Sequence, residues 1–178
     1  DAGHKRMAAE CGRRIVDMVW EDLTPDQIIN EASTRNAVTV AMATGCSTNA
    51  IIHLIAMARR AGVSLTLDQL DDIGQTTPVI ANIRPSGKDY LMEDFFYAGG
   101  LRALMVELGD KLDLNVKTVT GKTLGECIKG SENYNSDVIR TLDNPIYHEG
   151  SLAVLKGNLA PDGAVIKPAA MDPKFQKH

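Results

Sequence analysis

Thr44-Gly45-Cys46-Ser47-Thr48-Asn49 lies between two helical patterns, and its reading decides the fold. Gly45 breaks the first pattern, and Ser47, Thr48 and Asn49 are all good helix caps for the second. That second helix runs through Ala50, Ile51, Leu54, Ile55, Ala58 and Ala61 and closes at Gly62. On the upstream side, Val38, Val40 and Met42 alternate like a strand, but Ala37, Ala41 and Ala43 favour a helix over 36–44. Before it, Thr24, Pro25 and Gln27 form a helix start with a capping box, followed by Ile28, Ile29 and Ala32 on one face. Met7, Ala8, Cys11, Ile15, Met18 and Val19 predict a further helix over 4–20.

Downstream, Thr66 and Gln69 make another capping box for a short helix through Leu70 and Ile73. Val79 to Ile83, between Pro78 and Pro85, reads as a strand. A strong helix is expected over 92–108, with Phe95, Phe96, Leu101, Leu104, Met105 and Leu108 as its core face. Gly99-Gly100 inside it calls for close packing or a kink. After Gly109 the runs shorten. One short helix is expected over 124–128, capped by Thr123, and beyond Gly130 the texture is β, at 138–142, 151–155 and 164–166. The segment 157–163 reads as the hairpin connection, and the tail 168–178 offers little core. The change from helix-rich to β-rich texture falls within 112–137.

The chain has 178 residues, 44% hydrophobic and 24% charged, with a formal net charge of −4. Such a composition excludes disorder as the main state and argues against a generic nucleic-acid binder. The longest apolar-rich stretch, Ala50 to Ala58, contains His53 and is too short to span a bilayer. The start Asp-Ala-Gly-His-Lys-Arg carries neither an initiating Met nor a signal peptide, and it reads as an internal cut in a longer protein. Cys11, Cys46 and Cys127 are an odd, scattered set without a Cys-x-x-Cys pair, which points to free thiols in a reducing, cytoplasmic compartment.

Few residues offer chemistry on their own. Free N–H groups and the helix dipole behind Ser47-Thr48-Asn49 would favour a carboxylate or phosphate, set against ordinary capping. Cys46 there has a lowered pKa if it feels the dipole, or a raised one if it is buried. Glu93-Asp94 suits a helix start better than a metal site. His53 reads as a hydrogen-bonded core histidine. His148 and Glu149 could form an acid/base pair but sit in a turn-rich stretch that reads as surface. No Ser-His-Asp set, P-loop or dinucleotide fingerprint is present.

Three blocks carry a resemblance. Gly45-Cys46-Ser47-Thr48-Asn49-Ala50-Ile51-Ile52-His53-Leu54 is similar to the Gly-(Gly/Cys)-Ser-Thr-Asn segment of the IlvD/Edd family of dihydroxy-acid and sugar-acid dehydratases. Met92-Glu93-Asp94 with Ala98-Gly99-Gly100 resembles its next block, and Asn144-Pro145 with Glu149 to Lys167 resembles a third. The blocks keep the family's order, and with the opening Gly12-Arg13-Arg14-Ile15-Val16 the match covers nearly the whole chain. Cys46, and Asp94-Phe95-Phe96-Tyr97 after Glu93, lean toward the sugar-acid branch.

The resemblance implies an α/β architecture. Residues 1–112 would be the C-terminal part of an α/β domain, 113–137 a linker region, and 138–178 the first strands of a C-terminal β-barrel domain. It implies an internal fragment of a hydro-lyase that converts a 2,3-dihydroxy sugar acid to a 2-keto-3-deoxy acid, using an iron–sulfur cluster and Mg2+. A serine would take the C2 proton. The motifs for those groups lie outside this segment, so the resemblance places no catalytic or metal-binding residue in it and leaves it inactive by itself. Ser47, Thr48 and Asn49 are the expected substrate-binding residues. The expected partner is a small-molecule sugar acid, in a homo-oligomer, without nucleic acid or membrane. The alternatives are a branched-chain dihydroxy-acid or phosphogluconate dehydratase and, in another class, a non-catalytic anion-binding or scaffold module.

Overall fold

Asn30 starts the helix around which the molecule is organised. Its side chain accepts from Ser33 N, and Ser33 Oγ accepts from Asn30 N, so two otherwise unpaired amides are satisfied reciprocally. In the computed structural model, which describes residues 2–171, this helix is α3 (Glu31–Thr44). It follows α1 (Ala2–Trp20) and the single turn α2 (Pro25–Ile28), and precedes α4 (Asn49–Arg60) and α5 (Leu67–Thr76). Next come α6 (Met92–Tyr97), α7 (Gly100–Leu108) and α8 (Leu124–Ile128), and then an antiparallel hairpin of β1 (Ala153–Gly157) and β2 (Ala160–Ile166). The order is that expected for the end of an α/β domain running into the first strands of the next. Among the described residues no helix is long and apolar enough to cross a membrane.

Two apolar clusters flank α3. Val38 and Met42 pack with Ile51 of α4, Leu70 and Ile73 of α5, and Leu152. Ala43 packs on the other side with Ile80, Ala81 and Ile83, with Phe95, Leu104 and Leu108, and with Val138 and Ile139. Between them runs the wholly buried segment 77–83. The strand expected at 79–83 is an extended segment that belongs to no sheet among the described residues. Single bridges join it to three places: Val79 to Tyr147, Ala81 to Ile139 and Ile83 to Tyr90. The same holds for the strand expected at 138–142, which pairs only through Ile139. In place of a ladder, each segment takes its hydrogen bonds from whichever neighbour packs on it, because buried backbone groups need partners of some kind.

The hairpin has its register at Ala153↔Ile166, Val154↔Val165 and Leu155↔Ala164, with an irregularity before Gly157↔Ala160. The turn is shorter than the expected 157–163 connection: pairing resumes at Ala160, so the strand carries Pro161-Asp162-Gly163. Val154 N donates to Asp71 Oδ1 at 2.8 Å, and Lys156 pairs with Asp68, so β1 is tied to α5. Of the expected tail, the part after Met171 lies outside the described residues.

The helix expected over 92–108 is two helices. Ala98 and Gly99 interrupt it, with Gly99 at φ +114. Phe95, Leu104 and Leu108 are buried, while Phe96 and Leu101, expected in the core, are exposed. The apolar face of α1 is likewise exposed except at Met18. At the start of α2 the expected capping box is absent. Gln27 Nε2 donates to Asp22 O and Thr24 Oγ1 instead of its side chain accepting from the Thr24 amide. The box at Thr66 forms as read, and Thr123, read as a cap, forms a full capping box with Glu126.

A Cβ at Gly99 would collide with Glu132 O and Ala103 Cβ, whereas one at Gly12 in α1 meets nothing within 4 Å. Gly99→Ala should therefore lower the unfolding free energy by about 2 kcal/mol or more. Gly12→Ala should raise it by about 0.5–1 kcal/mol. Urea unfolding followed by circular dichroism checks both, and equal effects would contradict the kink.

Candidate functional site

The Gly45 turn is held from three directions. Gly45 ends α3 in the left-handed region at φ +74, and its N–H and that of Cys46 return to Met42 O and Ala41 O. Its carbonyl accepts from Ser86 Oγ at 3.1 Å and from Lys167 Nζ at 2.8 Å, and Lys167 Nζ also donates to Cys46 O at 3.1 Å. A side chain at Gly45 would strike Ser86 Oγ, so both the backbone angle and the space require glycine. Lys167, just beyond β2, thus fastens the chain after the hairpin to the end of α3.

From this turn the chain enters α4. Ser47, Thr48 and Asn49 are all exposed. Thr48 already has helical backbone angles and makes no capping bond. The amides that an anion would need are taken: Asn49 N donates to Ser47 Oγ at 3.3 Å, Ala50 N to Ser47 O, and Ile51 N to Thr48 O. The side chains of Thr48 and Asn49 make no hydrogen bond among the described residues. The site therefore offers two polar side chains at a rigid corner in place of an open amide cradle.

Cys46 lies beneath this corner. Burial pushes its thiol above the ordinary range, partly offset by the Ser151 hydroxyl and by the nearby Lys167 ammonium. Ser151 Oγ is itself buried without a hydrogen bond of ordinary geometry. Burial lowers the Lys167 ammonium pKa in turn. Cys127 shows the opposite behaviour: the hydroxyls of Thr118 and Thr120, 3.5 and 3.3 Å from its sulfur, favour the thiolate and lower its pKa. Cys11 is exposed on α1. Among the described residues, no group of three or more His, Cys, Asp or Glu converges that could hold a metal ion.

The other residues singled out in the sequence serve structure or face solvent. His53 is exposed on α4 and is not a core histidine, because the buried stripe of that helix passes through Ile51 and Ala58. His148 and Glu149 are exposed on a turn. Asp94 Oδ2 accepts from Leu91 N at 2.7 Å, a helix-start contact. Sequence reasoning missed Ser86, Ser151 and Lys167 as parts of the site. Ser86 had one available signal, its place in the turn-forming Pro85-Ser86-Gly87.

The family model described as dihydroxy-acid/6-phosphogluconate dehydratase N-terminal matches residues 1–127, and its C-terminal counterpart matches residues 137–178. The chain is 47% identical to a 6-deoxy-6-sulfo-D-gluconate dehydratase of Pseudomonas putida, covering 100% of this chain and 31% of that protein. It is 46% identical to a dihydroxy-acid dehydratase of Methanosarcina barkeri, covering 100% and 33%. An L-arabinonate dehydratase of Rhizobium leguminosarum is 46% identical, covering 100% and 31%. The chain spans about a third of the length of these curated relatives.

The opposite thiol environments have a direct readout. At a pH of about 8, iodoacetamide should alkylate Cys127 at least about tenfold faster than Cys46, because only the thiolate reacts and Cys46 is also shielded. Peptide mass spectrometry of timed samples measures this, and earlier labelling of Cys46 would contradict the geometry.

Proposed function

The chain belongs to the dihydroxy-acid/6-phosphogluconate dehydratase family, and we propose that it is part of a hydro-lyase acting on a sugar acid. In that reaction a base takes the C2 proton of a 2,3-dihydroxy acid and the C3 hydroxyl leaves as water. The resulting enol becomes the 2-keto-3-deoxy acid. The observation that carries the reading is the succession of both family models along one chain, with sugar-acid dehydratases among the relatives at 46–47% identity. Dihydroxy-acid dehydratases at 44–46% identity favour the branched-chain substrate as the second reading.

The resemblance implies an iron–sulfur cluster and Mg2+ in the parent enzyme. The described residues do not bring together a donor set of three or more His, Cys, Asp or Glu for either. The segment contributes positioning. Thr48 and Asn49 carry a hydroxyl and an amide with both donor and acceptor capacity, and such groups suit the hydroxyls of a polyhydroxy acid. Without the acid and base groups of the parent, the 178-residue segment is inactive and behaves as a binding module.

In the intact parent enzyme, Thr48→Ala or Asn49→Ala should lower kcat/KM by more than about tenfold, the loss of one or two hydrogen bonds to substrate, with little change in melting temperature. Steady-state kinetics on a panel of sugar acids and branched dihydroxy acids checks this and ranks the two substrate readings. Unchanged kinetics in both variants would reduce the motif to a helix start.

A further inference from the structure

Ser86, which holds the Gly45 carbonyl, also lines a polar concavity. It is a groove of about 410 Å³ between the 82–89 loop and the 140–147 segment, lined by Asn82, Ser86, Lys88, Asp89, Arg140 and Asn144 among others. Its volume falls in the range of small-ligand sites. Most of its polar groups are already committed. Asn82 Nδ2 donates to Asp137 O, Ser86 Oγ to Gly45 O, and Tyr147 Oη to Ser86 O. These bonds make the walls rigid and leave the cationic groups as the unmatched ones.

Arg140 is the main anomaly. Its backbone is fixed by the 2.7 Å bond from its N–H to Ile80 O, yet its Nε is buried and has no hydrogen-bond partner. The acid nearest its guanidinium, Asp137, stands 4.0 Å from Nη2, at the limit of an ion pair. The Arg140 side chain is nonetheless 30% exposed, so its terminal Nη groups, and not the enclosed Nε, are what the groove offers to an acceptor. Lys88 is exposed at the groove and makes no ion pair among the described residues. Arg84 donates from Nε to Lys88 O, which brings a third cation to the same loop. Asp89 and Asp137 oppose these three charges, and Asp89 offers an acceptor for a hydroxyl.

We propose that this groove binds an oxyanion group of a small polar molecule, a phosphate, sulfonate or carboxylate, with Arg140 as its principal donor and Lys88 as its second. The guanidinium fork matches two oxygens of such a group. Seating an oxyanion here requires no dehydration chemistry, so it is read on the 178-residue chain by itself, apart from the activity of the parent enzyme.

The test is an amide NMR titration of the chain with inorganic phosphate at ionic strength held constant with sodium chloride. Saturable shifts are expected at Ser86, Gly87, Lys88, Arg140 and Asn144. Arg140→Gln should weaken binding by about tenfold and Lys88→Gln by about threefold. Parallel titrations with methanesulfonate and acetate separate the sources: tighter phosphate or methanesulfonate binding assigns a tetrahedral head, tighter acetate binding a carboxylate. Should Arg140→Gln fail to fold, the exposed Lys88→Gln decides by itself. The proposal is overturned if no anion gives saturable shifts at these amides, if the shifts centre on 47–49 instead, or if Lys88→Gln binds like the unmodified chain.

Discussion

A buried length of extended backbone with no sheet to belong to is the constraint on which the structure depends. Residues 77–83 are entirely enclosed, so their amides and carbonyls need protein partners. They find them in pieces. Ile80 N and Ala81 N both donate to Ala43 O at the end of α3. Val79 exchanges bonds with the 146–147 chain, and Asn82 N donates to Val138 O while Arg140 N donates to Ile80 O. One segment therefore fixes the end of the central helix and the returning chain, and it carries the Ser86 loop behind it.

This arrangement reaches the site through Gly45. The same Ala43 whose carbonyl is shared by two amides lies two residues before the turn. Ser86, delivered by the extended segment, and Lys167, delivered by the hairpin, bind the Gly45 carbonyl from separate parts of the chain. The corner presenting Thr48 and Asn49 is thus set by long-range contacts, separated in sequence by 41 and 122 residues. Burial of that junction also explains the contrast between thiols: Cys46 beneath it is desolvated, while Cys127 sits among hydroxyls near solvent.

The sequence made local features legible and long-range ones obscure, for physical reasons. The box at Thr66, the cap at Thr123, the break at Gly45 and the interruption marked by Gly99-Gly100 were readable because each depends on residues a few positions apart. The extended character of 79–83 was readable from its β-branched residues, but its lack of a strand partner was not, since apart from nearby Tyr90 its partners are Tyr147 and Ile139, far along the chain, and Ala43 at the end of a helix. The exposure of His53, Phe96 and the α1 face depends on which neighbours exist, and periodicity shows only that a face is apolar. At the site, Ser47, Thr48 and Asn49 stood out by residue type. Lys167 did not, because a lysine after a strand looks like any surface lysine until the chain folds back.

Native-state hydrogen exchange of the amides of Ile80, Ala81, Asn82 and Arg140 tests the central role of this segment most directly. These amides should exchange only through global unfolding, with the same free energy as the slowest amides of α3 and α7. Exchange through a low-energy local opening, while α3 and α7 stay protected, would show that the buried segment is a passenger and would contradict the account.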